Sequence, residues 1–78
     1  MERIIRVGNI YRHFKGHIYK VIIIALDSET LKKVIVYQNV DNDEVWVRDY
    51  DMFNSLVDRD KYPDVEQEYR FEEVSHGC

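Results

Sequence analysis

Between Ile10 and Phe14 the chain reads IYRHF, with apolar and polar residues taking turns as they do along a strand with one buried face. Lys15-Gly16-His17 breaks the alternation and reads as a tight turn in which Gly16 is free to take a positive φ. The run IYKVIIIAL (18–26) is rich in β-branched residues and lacks a helical period, which predicts a central strand. Its second half is apolar on both faces, so one face fills the interior and the other needs cover.

DSETLKK (27–33) is a polar turn whose Asp27, Ser28 and Thr30 side chains can bond nearby amides. VIVYQNV (34–40) predicts a third strand in a hairpin with the second. DNDE (41–44) is an acidic turn and VWVR (45–48) a short fourth strand. Asp49 is a candidate N-cap for one or two helical turns within DYDMFNSL (49–56). A charged loop with the lone proline, Pro63, follows. QEYRFEEV (67–74) alternates again and predicts a closing strand, while SHGC reads as a frayed tail.

These elements predict a mostly β fold: a small, strongly bent antiparallel sheet or SH3-like barrel of about five strands with one short helical turn. It is expected as one domain over residues 1–74, with 75–78 a flexible tail. The two-faced apolar strand Val21–Leu26 further predicts a homo-oligomer, most simply a dimer. The alternative is a monomer with the acidic C-terminal segment folded over that face.

Composition adds limits. A chain of 78 residues with 45% hydrophobic and 33% charged residues is that of a folded protein with a thin core. Its single cysteine, Cys78, permits no intramolecular disulfide. MERIIRVGNI has no apolar signal core, and Val21–Leu26 is too short to span a bilayer, so no membrane partner and a cytoplasmic location are expected. The net charge of −4 disfavours nucleic acid as a partner. Residues 1–40 hold seven Lys/Arg against three Asp/Glu, giving +4; residues 41–78 hold four against twelve, giving −8. Either the halves pair within the domain, or the first half builds a basic face for an anionic ligand.

Among the candidate chemistries, metal binding is weakly marked. His13 and His17 are separated by a turn, His76 and Cys78 lie on the tail, and neither CxxC nor HExxH occurs. No cofactor is implied. Ser28 could meet His13 with Glu29 as orienter, but a hydroxyl in a polar turn more commonly bonds its own backbone. The better signal is aromatics interleaved with cations: Tyr11, Arg12, His13, Lys15, Tyr37, Trp46 and Arg48. A guanidinium fork suits phosphate, and aromatic faces stack flat rings. Each residue also has a bland reading, with Tyr37 and Trp46 in the core and Arg48 paired to Asp49 or Asp51.

The ordered blocks YRHFKG, SET, VIVY and WVRxxxMF, within residues 9–55, resemble a bacterial and phage family, domain of unknown function 1653. The chain departs from the family's usual pattern at Asp27, where histidine is usual, and at Asp49, where proline is usual. The resemblance implies a small β-domain and no established activity. Phage proteins of this size can act as traps for host signalling nucleotides, which makes such a role an expectation by analogy.

Three readings follow. In the first, the chain is a non-catalytic binder of an anionic, nucleotide-like ligand. Tyr11, His13 and Lys15 line one wall, and Arg12 and Phe14 face the other way with Phe14 anchoring the core. Ser28, Glu29 and Thr30 form a second wall, Arg48 a third side, and Tyr37 or Trp46 the stacking platform. In the second it is a protein- or RNA-interaction module using the aromatic and basic face. In the third it is a small enzyme with His13, Lys15 and Glu29 as acid–base groups.

Overall fold

The computed structural model describes residues 3–74. Five strands form one sheet: β1 (Ile10–His13), β2 (Ile18–Leu26), β3 (Lys33–Asn39), β4 (Val45–Asp49) and β5 (Phe71–Glu73). A single helical turn, α1 (Tyr50–Phe53), follows β4 directly. The order is β4-β3-β2-β1-β5 with every pair antiparallel. β4 and β5 are its two edges and do not pair with each other, so the sheet is open and not a closed barrel. The expected tail, residues 75–78, lies outside the described residues.

Turn chemistry explains the hairpins. Gly16 takes φ +102° between β1 and β2, and its amide donates to the His13 carbonyl at 2.8 Å. Asp27 accepts the Glu29 and Thr30 amides at 2.8 and 3.1 Å, holding the β2–β3 turn. Those two bonds, Thr30's first, hold its carboxyl below the ordinary range. Asp49 caps α1, accepting from Asp51 and Met52 at 2.9 and 3.3 Å. Asp27 and Asp49 thus each put a carboxylate where backbone amides need an acceptor.

The apolar run in β2 is resolved by a β-bulge. Val21 pairs with Tyr37, but the register slips so that Ile23 pairs with Val36 and Ile24 with Ile35. Val21 and Ile24 therefore both face inward, although three positions apart. Ile23 turns outward and is half exposed, at 52%. On that outer face it joins Val36 and Val47, its neighbours across β3 and β4.

The core lies on the other face, formed by Ile5, Tyr11, Val21, Ile35, Tyr37, Phe53 and Phe71. Phe53 and Phe71 stack with centroids 4.0 Å apart, and Tyr11, Tyr19 and Tyr37 meet them edge-on. Tyr11, 1% exposed, is the inward anchor of β1, whereas Phe14 sits half-buried outside this cluster. The expected parity of β1 is thus corrected: the face holding Tyr11 and His13 is the core face. The reason is that the strand ends at His13, so Phe14 belongs to the turn and not to the alternation.

Only Phe71–Glu73 of the expected closing strand 67–74 pairs with β1. The Glu72 carboxylate accepts the Glu68 and Tyr69 amides at 3.1 and 3.2 Å, curling 67–70 away from the ladder. A bridge between Leu56 and Tyr69, with Arg70 N–H donating to Ser55 at 2.9 Å, ties this bend to the segment after α1.

Candidate functional site

The β1–β2 turn, the end of β4, the loop around residues 58–62 and the bend before β5 meet at one end of the sheet. They enclose a cavity of about 210 Å³ lined by His13, Phe14, Lys15, Arg48, Asp58, Lys61, Tyr62 and Arg70. Four cations face a single carboxylate there.

Each side chain has a structural reason for its place. Arg48 pairs across β3 with Ile35, which puts it on the core face. Its Nε donates to the Tyr37 hydroxyl at 3.3 Å, and its Cζ lies 5.7 Å from the Phe71 ring centroid. Arg70 is fixed by its backbone: its amide donates to Ser55, and its carbonyl accepts from Phe14 at 2.9 Å. Its Nε is buried and has no hydrogen-bond partner among the described residues. Lys15 is exposed, with Nζ 5.6 Å from the Tyr62 ring and 6.0 Å from Phe14. Phe14 and Tyr62 pack with centroids 4.8 Å apart and form an aromatic shoulder.

His13 lies between Phe14, stacked at 4.4 Å, and Phe71, edge-on at 4.9 Å. Its Nδ1 accepts the Lys15 amide at 3.1 Å. Burial, then the charges of Arg48 and Lys15, lower its pKa to about 4. Because the unfolded chain takes up this proton near 6.5, the folded state binds fewer protons in the interval between. Its contribution to stability is complete above pH about 6.5 and is lost as pH falls toward about 4. Urea unfolding at a series of pH values should show that slope, and His13→Gln should flatten it.

The other expected site residues fall elsewhere. Tyr11 and Tyr37 are core residues, 1% and 4% exposed, and offer no face to a ligand. The Tyr11 hydroxyl accepts the Arg6 amide at 2.9 Å and lies 3.3 Å from Glu73 Oε1. Arg12 points to the opposite face, with its Nε 3.4 Å from Gln67 Oε1. Trp46 lies on the exposed edge strand β4. Ser28 and Glu29 line a separate groove with Asp27, Val34, Val47, Arg48 and Asp49, and Thr30 is exposed in the same turn. Val34 and Val47 stand on the outer face, so this groove adjoins the His13 cavity only through Arg48, which lines both. His13, Lys15 and Arg48 line one cavity, and Glu29 shares only Arg48 with them, in the adjoining groove.

Lys61, Tyr62 and Arg70 were not foreseeable from alternation, since two come from a loop and one from the bend that ends the ladder. The one available signal was local: YRF at 69–71 repeats the aromatic–cation pattern of YRHFK. A further cavity of about 570 Å³ is lined by Arg3, Ile4, Lys32, Lys33, Asp49, Tyr50 and Asp51, where carboxylates offset most of the positive charge. Among the described residues no three His, Cys, Asp or Glu side chains are grouped to hold a metal ion. None of their helices is long and apolar enough to cross a membrane.

A family model described as "Protein of unknown function (DUF1653)" matches residues 9–73, extending the likeness beyond the blocks within 9–55 to all five strands and nearly the whole chain. No curated protein and no solved structure matches the chain.

Proposed function

We propose that this chain, which belongs to the DUF1653 family, is a non-catalytic binding protein that captures an anionic, nucleotide-like molecule. The observation that carries this reading is the convergence of Lys15, Arg48, Lys61 and Arg70 on one cavity beside the Phe14–Tyr62 ring pair. The cations hold phosphate, and the exposed side of the aromatic shoulder stacks a flat ring, taking the part first expected of Tyr37 or Trp46. Sequestration is favoured over turnover because Glu29 is not at this cavity and Asp58, the carboxylate that shares it with His13, accepts the Asp60 amide and makes no hydrogen bond to His13 among the described residues. A trap for a signalling nucleotide in the cytoplasm is the biological form of this proposal.

A thermal-shift panel of nucleotides, followed by recovery of the ligand after denaturation, tests it. A shift with intact release supports capture, and a changed ligand mass points to catalysis. No shift with any nucleotide rejects the reading in favour of an interaction module.

Self-association is part of the same proposal. β5 is a short edge carrying Glu72 and Glu73, whereas β4 is an open edge that exposes Val45, Trp46 and Val47 without a charge among them. Such an edge invites strand pairing. Joining β4 to β4 of a second copy would also make the apolar outer strips of Ile23, Val36 and Val47 continuous. Light scattering at micromolar concentration should give twice the 9.5 kDa chain mass; a particle of single-chain mass rejects the dimer.

A further inference from the structure

We propose, resting on the anion reading above, that the cavity selects the dianionic terminal group of a phosphate monoester over a monoanionic phosphodiester, with His13 as a neutral Nε2–H donor.

Size and charge both point to a terminus. At about 210 Å³ the cavity is smaller than the roughly 300–1,000 Å³ of pockets that enclose drug-sized ligands. It therefore encloses one end of a ligand, and the remainder lies out across the aromatic shoulder. Four cations against Asp58 leave three positive charges in excess, and the Asp58 carboxylate already accepts the Asp60 amide at 3.0 Å. A second negative charge on the ligand is rewarded there by an additional charge-assisted contact. Arg70 lines the cavity from a backbone pinned from both sides, its amide donating to Ser55 and its carbonyl accepting from Phe14.

The role of His13 follows from its hydrogen bond. Because Nδ1 accepts the Lys15 amide, the neutral ring carries its proton on Nε2, and protonating Nδ1 would set two N–H groups against each other. The charged or titratable groups around the ring are Lys15 and His17 from the turn, Arg48 from β4 and Arg70 from the bend before β5. Asp58 and Lys61 share the cavity from the loop. Burial first, and then this cationic surround, keeps the ring neutral through the physiological range. The pH response of binding then belongs to the ligand: a phosphate monoester loses its second charge below about pH 6. A histidine that took up a proton would instead strengthen binding in acid.

Titration calorimetry with adenosine monophosphate and cyclic adenosine monophosphate, at about pH 7.5 and about pH 5.5, tests the inference. The two probes share base and sugar and differ at the phosphate, a terminal monoester in one and a monoanionic diester closed onto a second ribose oxygen in the other. The monoester should bind at least about tenfold tighter at the higher pH, the worth of one charge-assisted contact. That advantage should shrink at the lower pH, and His13→Gln should keep the same pH response. Equal affinities, or tighter binding of either probe in acid, overturn the inference while the anion reading stands. No binding of either probe, or of pyrophosphate, overturns both.

Discussion

Phe71→Ala is expected to lower the unfolding free energy by about 3–5 kcal/mol, the cost of removing a fully buried aromatic ring. Phe71 is 1% exposed, stacks on Phe53 at 4.0 Å and meets Tyr19, Tyr37 and His13 edge-on. Its carbonyl accepts Arg3 Nη1 at 2.7 Å, tying the N-terminal segment to β5. A domain of this length has a total stability of about 4–12 kcal/mol, so the variant should lose from roughly a quarter of it to all of it. Phe71→Leu retains most of the volume and should lose less. Urea unfolding measures both. A loss below about 1 kcal/mol for the alanine variant would show that the ring is not the centre of the core.

Lys15→Ala and Arg48→Ala should each weaken anion binding by roughly ten- to a hundredfold, because a charge-assisted contact contributes about 1.5–3 kcal/mol. They should differ in stability. Lys15 is exposed and its loss should leave the fold unchanged. Arg48 also donates to the Tyr37 hydroxyl, so its loss adds a modest destabilisation of about 1 kcal/mol. Calorimetry with pyrophosphate, alongside thermal unfolding, separates the two effects. Wild-type affinity in both variants would remove the site.

Strand positions were legible because each was marked twice, by β-branched or alternating residues within and by turn chemistry at its ends. Gly16, Asp27 and Asp49 did what their types suggest. What the chain hid was parity. The bulge at Ile22 put Val21 and Ile24 on one face, which simple alternation forbids. The early end of β1 gave Tyr11 the core place expected of Phe14. With Tyr11 buried on β1 and Tyr37 buried on β3, the expected site was split, while His13 remained at the rim of the core.

The part of the site that was legible lay on regular elements: His13 at the end of β1, Lys15 in a tight turn and Arg48 on β4. Lys61, Tyr62 and Arg70 reach it through tertiary contacts of an irregular segment. There the Glu72 carboxylate and the Ser55 carbonyl, and not a ladder, set the backbone path. Local propensity carries no information about such contacts.

The central claim is that one cavity gathers these cations for an anion. A ¹H–¹⁵N NMR titration with adenosine monophosphate tests it most directly. The account predicts saturable shifts at Phe14, Lys15, Arg48, Lys61, Tyr62 and Arg70, with Ser28–Thr30 and Trp46 unmoved. Shifts centred on the Ser28–Thr30 turn or on Trp46, or none at all, would contradict it.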